Sequence, residues 1–201
     1  MLQLKKTAMS RNHLLIIILI LLFGCNPCDD SITIDNGKIP EKVLKYVPYQ
    51  NGQIYKFKHS AGLIIEFTTI RQSRDEYSWC EECCKYNYKY EVNSTTLTPD
   101  YPIFDFGFEI SNLDTTYYSF IARVGKYQFY IPTSANSSEY YEFADSILIN
   151  DKLYFDVFKL KSNYGSYYDK DSIFADSLYY NYELGIIKIK MSNGEKYEIY
   201  E

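Results

Sequence analysis

From residue 52 onward the chain is built of short runs in which every second residue is apolar. A period of two marks a strand with one buried face, and it restricts the fold more than any other feature here. "GQIYKFKH" and "GLIIEFTTIR" are two such runs, separated by a turn over 59–62. "YNYKYEV" (86–92) alternates. So does "IFDFGFEI" (103–110), which puts Phe104, Phe106 and Phe108 on one face. "TYYSFIARV" (116–124) follows, then "GKYQFYI" after a turn at Gly125 and Lys126. "SILIND" and "KLYFDVFKL" meet at Asn150 and Asp151, residues that tolerate the positive φ of tight hairpins. In "GIIKIKMSNGEKYEIYE", Ile187, Ile189 and Met191 alternate with Lys188 and Lys190. Asn193 and Gly194 turn the chain, and Tyr197 and Ile199 alternate on the return.

No long segment has a period of 3.6. The pattern predicts an all-β fold: an antiparallel meander forming a sandwich, or a strongly curved sheet or half-barrel. At most one short helix is expected, in "PEKVLKY" (40–46), with Pro40 at its first position. Composition agrees, with 23 Tyr and 12 Phe against one Trp, because aromatic residues suit pleated, half-buried surfaces. Tyr-Tyr recurs at 117–118, 140–141, 167–168 and 179–180. Neighbours on a strand point to opposite faces, so each pair sets one ring inside and one outside. "FADSI" (143–147) and "FADSL" (174–178) read as two similar turns that open strands.

The first thirty residues have a different character. Lys5, Lys6 and Arg11 precede an apolar run of ten residues, Leu14 to Phe23. A membrane-spanning helix needs roughly 20; ten suits the apolar region of a signal peptide. "LLFGC" resembles the lipobox of bacterial lipoproteins, in which a small residue precedes a cysteine that is lipidated and becomes the new first residue. The resemblance implies a signal peptide at 1–24, acylation at Cys25, a lipidated tether at 25–39 and a single antiparallel β domain at 40–201. Cleavage removes three basic residues and no acidic one, taking the formal charge from -5 to -8. The expected membrane anchor is therefore lipid, each buried CH₂ contributing about 0.8 kcal/mol. Asp29 and Asp30 resemble the surface-export signal of Bacteroidetes lipoproteins, which favours the outer membrane and its outer face over the periplasmic one. "YVPYQNGQIYKF…GLIIEF" and "YYNYELGIIKIKMSNGEKYEI" resemble the small lipoproteins common in Bacteroidetes. That resemblance implies an exported all-β domain and no particular activity.

Five triplets share the form Asp, hydroxyl residue, small or aliphatic residue, and they contain Ser31, Thr115, Ser146, Ser172 and Ser177. They resemble the O-glycosylation acceptor of exported Bacteroidetes proteins, which makes these five hydroxyls candidate glycan sites. The same pairs also serve as strand-opening turns.

Catalytic patterns are sparse. Outside the first thirty residues His59 is the single histidine, and it is expected in a solvated turn. There is no phosphate loop, no His-Glu-x-x-His pattern and no cofactor motif. The net charge of -5 and the lack of a basic run oppose a nucleic-acid partner. The expectation is a non-catalytic envelope lipoprotein that binds a glycan, a lipid or another envelope protein. The alternative is an envelope hydrolase with carboxylates dispersed along the chain.

"WCEECC" (79–84) crowds three of the five cysteines together. Lipidation of Cys25 leaves Cys28, Cys80, Cys83 and Cys84. Export to an oxidising compartment favours two disulfides among them. A bridge from Cys28 closes about 50 residues and contributes roughly 4 kcal/mol. A zinc site of four thiolates and a redox Cys-x-x-Cys stand beside that reading.

Overall fold

The computed structural model describes residues 32–79, 86–101, 103–113, 117–132, 140–162 and 173–200. The expected signal peptide, Cys25, Cys28, Cys80, Cys83, Cys84, Ser31, Thr115 and Ser172 lie outside the described residues. The elements are β1 (Ile32–Asp35), α1 (Glu41–Leu44), β2 (Ile54–His59), β3 (Ile64–Trp79), β4 (Tyr86–Pro99), β5 (Phe106–Ser111), β6 (Ser119–Val124), β7 (Tyr127–Tyr130), β8 (Tyr141–Ile149), β9 (Lys152–Lys161), β10 (Ala175–Asn181), β11 (Gly185–Met191) and β12 (Lys196–Tyr200).

The chain divides into two compact units. The smaller joins residues up to Ile34 with Trp79–Asn87. Of it, the start of β1, the end of β3 and the first two residues of β4 are described. The larger, Asp35–Ser78 with Tyr88–Glu201, carries the core.

One antiparallel sheet curls into a half-barrel in the larger unit, so the all-β expectation holds and the curved sheet is preferred to the sandwich. The strand order is β7-β6-β5-β4-β3-β2-β12-β11-β10-β9-β8, with β1 off this path. It is two meanders joined where β12 pairs with β2, Tyr197 opposite His59 and Ile199 opposite Phe57. The expected hairpins appear. Asn150 and Asp151 connect β8 and β9 with φ of 49° and 61°, as a two-residue turn requires. The β11–β12 turn differs. Only Gly194 takes positive φ there, at 91°, and its N–H donates to the Met191 carbonyl. This is a three-residue loop with glycine in the left-handed position.

Alternation decides which face is buried. Phe106, Phe108 and Ile110 on β5 lie opposite Val124, Ala122 and Phe120 on β6, and all six are buried. Across the curl, Phe108 and Phe120 reach Tyr180 of β10 at 5.9 and 6.0 Å. Phe67 stacks on Phe106 at 4.4 Å, and Phe57 meets both edge-on. The concave face is thus filled by its own rings, such pairs adding about 0.5–1.5 kcal/mol each beyond area burial.

The helix α1 is one turn long. Pro40 sits one position earlier than expected, as its N-cap. Arg71 of β3 holds the chain that follows it. Its guanidinium donates to the carbonyls of Leu44, Val47 and Tyr49 at 2.9, 2.9 and 3.2 Å, and to Asn93 Oδ1 at 3.0 Å.

Several expectations are corrected. Within the stretch expected as a tether, 32–35 form β1, and 36–39 are fastened by side chains that supply backbone partners. Asn36 Nδ2 donates to the carbonyls of Asn112 and Leu113. Asn112 Nδ2 returns bonds to the carbonyls of Asn36 and Gly37. Glu91 accepts the Ile39 N–H at 2.7 Å. "FADSI" lies within β8 and is no turn, because Ala144 and Ser146 are paired with Val157 and Phe155. Phe104 packs against Phe106 from outside β5. His59 ends β2 and packs on Tyr197 at 4.8 Å; its side chain is 16% exposed and not a solvated turn residue.

Strand β9 breaks its own alternation. Asp156 takes φ of 52°. Phe158 and Leu160 beyond it join the main core, whereas Tyr154 and Val157 join a second cluster with Ile149 and Ile187. Ile187 is skipped in the β10–β11 register, a bulge that turns its side chain out of the main core.

Candidate functional site

With the concave face filled, a recess that gathers tyrosine rings and serine hydroxyls lies on the convex face. Strand β4 starts at Tyr86, β5 ends at Ser111, which pairs with Val92, and β6 begins at Ser119 opposite Ser111. Beyond the end of β5, β1 is the strand that pairs with β4, and the Asn36 N–H donates to the Lys89 carbonyl. A recess of about 480 Å³ lies beside these strand ends. Its walls are Ser78 of β3, Tyr88 of β4, Ser111 of β5, Ser119 of β6, and Leu113 and Tyr117 between those strands.

Alternation selects these side chains. On β4 the odd residues Asn87, Glu91 and Asn93 are buried, and the even residues Tyr86, Tyr88 and Tyr90 take the opposite face. Tyr117 is 66% exposed and Leu113 46%. The hydroxyls of Ser78, Tyr88, Ser111, Tyr117 and Ser119 have no hydrogen-bond partner among the described residues. Among the described residues, no charged one lines the recess.

Charges beside it are paired with one another. Arg74 holds Glu76 at 2.6 Å and reaches Ser94 Oγ at 3.3 Å. Arg123 holds Glu109 at 3.0 Å. Tyr90 donates to Glu76 at 3.1 Å, and burial followed by that bond pushes its pKa up.

Two further clefts lie under the β8–β9 hairpin. One, of about 540 Å³, is lined by Lys58, Asn150, Asp151, Lys152, Tyr154, Ile199 and Tyr200. The other, of about 300 Å³, lies between Lys152–Asp156 and Asn181–Leu184. Lys152 lies over the Tyr154 ring at 5.3 Å.

Among the described residues the carboxylates whose pKa is displaced are driven down, by hydrogen-bond donors and ion-pair partners. The Gly37 N–H and then Lys89 lower Asp35; Lys38 and then Lys89 lower Asp75; Lys161 and then Lys159 lower Glu142. Among the described residues no group of three or more His, Cys, Asp or Glu could hold a metal. The four cysteines of the disulfide and zinc readings lie outside those residues. Also among the described residues, no helix is long and apolar enough to cross a membrane.

Two of the five candidate glycan acceptors are described. Ser146 is exposed on β8. Ser177 is only 3% exposed, and its hydroxyl faces Asp176 at 3.4 Å, so the folded strand leaves no room for a sugar there.

Sequence reasoning marked Tyr117 as half of a Tyr-Tyr pair and Tyr88 as part of an alternating strand. It passed over Ser78, Leu113, Ser111 and Ser119. Their signal lies in which strands end early, and single residues do not show that. Compared with known proteins, the chain matches no family model, no curated protein and no solved structure.

Proposed function

We propose that the chain is a lipoprotein anchored in the outer membrane through acylated Cys25, and that its β domain is a non-catalytic binding module whose site is the Tyr88–Tyr117 recess. One observation carries the binding role: five hydroxyls and two tyrosine rings gather in a recess where, among the described residues, the hydroxyls have no partner and no charged side chain lines the wall, on a half-barrel whose interior is filled by its own core. The anchor rests on the "LLFGC" pattern. Asp29 and Asp30 support the outer face of that membrane. In that compartment Cys28, Cys80, Cys83 and Cys84 pair as disulfides. Carboxylates held low by lysines support ion pairing as their role, in preference to the dispersed acid and base of a hydrolase, which needs one carboxyl raised.

Metabolic labelling with an alkyne fatty acid tests the anchor. The wild-type chain takes up label and stays with membranes, and Cys25→Ala loses both. Label retained in Cys25→Ala refutes the anchor.

A further inference from the structure

We infer that the recess takes the sugar rings of a neutral glycan; this rests on the binding role proposed above and gives it a ligand class. A pyranose ring has an apolar C–H face and a rim of hydroxyls. The Tyr88 and Tyr117 rings and Leu113 offer apolar surface for the first. Ser78, Ser111 and Ser119 offer hydroxyls for the second, each donating one hydrogen bond and accepting up to two. A volume of about 480 Å³ falls among those of small-molecule sites, roughly 300–1,000 Å³.

Other ligand classes fit the lining less well. An acyl chain would leave five hydroxyls desolvated without partners, and each such loss is unfavourable. Among the described residues a polyanion meets no cation in the lining, and Arg74 and Arg123 on the same strands are held by Glu76 and Glu109. An extended peptide seeks a free strand edge. Ser111 and Ser119 stand on β5 and β6, which have neighbours on both sides.

The test is calorimetric titration of the full chain in a detergent without a sugar headgroup. The probes are maltohexaose, cellohexaose, mannohexaose and, as the charged comparison, hexagalacturonate. We expect at least one neutral hexasaccharide to bind, and hexagalacturonate to bind at least about tenfold more weakly. Tyr117→Ala weakens binding at least about tenfold, as loss of an aromatic anchor does, and Ser111→Ala with Ser119→Ala weakens it further. Tyr117 is 66% exposed, so its truncation leaves the core intact, and circular dichroism checks this. Binding by none of the neutral probes, equal or tighter binding of hexagalacturonate, or wild-type affinity in Tyr117→Ala each overturns the inference. Fatty-acid labelling of Cys25 is read on the same protein, so failure of the glycan class and failure of the anchor are separate results.

Discussion

The hydroxyl end of Tyr49 abuts the backbone at Gly185, and its oxygen accepts the Ile186 N–H at 2.6 Å. A Cβ on Gly185 would fall inside the Tyr49 ring edge and hydroxyl. Tyr49 itself is 1% exposed and packs on Phe108 at 5.0 Å and edge-on to Tyr55 at 4.7 Å, so the ring has nowhere to retreat. Gly185 also takes φ of 80°. Gly185→Ala is therefore predicted to lose roughly 3–4 kcal/mol, left-handed strain plus overpacking. Gly194 has φ of 91° and nothing within 4 Å of its would-be Cβ. Gly194→Ala is expected to lose only about 1–2 kcal/mol. Urea unfolding of both variants measures the difference, and equal losses would remove the Tyr49 clash from the account.

Arg71 acts as a clasp. The Arg71 guanidinium donates at once to the carbonyl of Leu44, the last helical residue, and to those of Val47 and Tyr49 beyond it. It is half buried, and desolvation lowers its pKa. A planar fork with five donors suits this task, and a lysine ammonium does not. Arg71→Met is predicted to cost about 2–4 kcal/mol through the orphaned carbonyls. Arg71→Lys recovers less than half of that. A lysine variant as stable as wild type would show that charge, and not the fork, holds the segment.

Much of this was legible in the period of two. Phe106 and Phe108 fell on the core face as their spacing requires, and Tyr180 went in while Tyr179 faced Lys188 outside. The hairpin at Asn150 and Asp151 followed from residue types that tolerate positive φ. Where alternation misled, a single residue had changed the phase: Asp156 through its positive φ, and Ile187 through a bulge. Neither shift has a local composition signal, because each is set by what the neighbouring strand presents. Residues 36–39 were missed for a related reason. They are held by Asn112 and Glu91, more than fifty positions away, and a polar segment looks the same whether or not such partners exist. The recess was invisible because it depends on strand ends.

Acid should loosen the start of the domain first. Lys38, Asp75, Lys89 and Asp35 form a chain of contacts at 2.6, 3.2 and 3.3 Å. Both aspartates are held below their ordinary value of 3.8. A carboxyl with a depressed folded-state pKa favours the folded state above its unfolded pKa, and the contribution is lost as pH falls through the folded value. Protection of the 35–39 amides from hydrogen exchange is therefore predicted to fall as pH drops below about 3.8. Asp75→Asn should reproduce the loss at neutral pH, and added salt should weaken the wild-type contacts, which are exposed to solvent. Unchanged protection in Asp75→Asn would leave the bonds of Asn36, Asn112 and Glu91 as the fastening.

At the alkaline end three tyrosines govern stability. Burial pushes the phenols of Tyr49, Tyr180 and Tyr182 far above the ordinary value of 10.0. Tyr180 donates to the Tyr46 carbonyl and Tyr182 to the Pro132 carbonyl, bonds that only the protonated phenol can make. In the unfolded chain these groups ionise near 10, so their contribution is complete below that pH and declines as pH rises above it. Phenolate absorbance is expected to rise in two stages. The later stage belongs to the buried three, which ionise only together with unfolding seen by circular dichroism. Tyr182→Phe loses the bond to Pro132 but no longer resists deprotonation, so it is less stable than wild type near neutrality and its alkaline transition is shallower. A single smooth titration of all 23 tyrosines without loss of structure would contradict the packed interior on which the convex placement of the binding site rests.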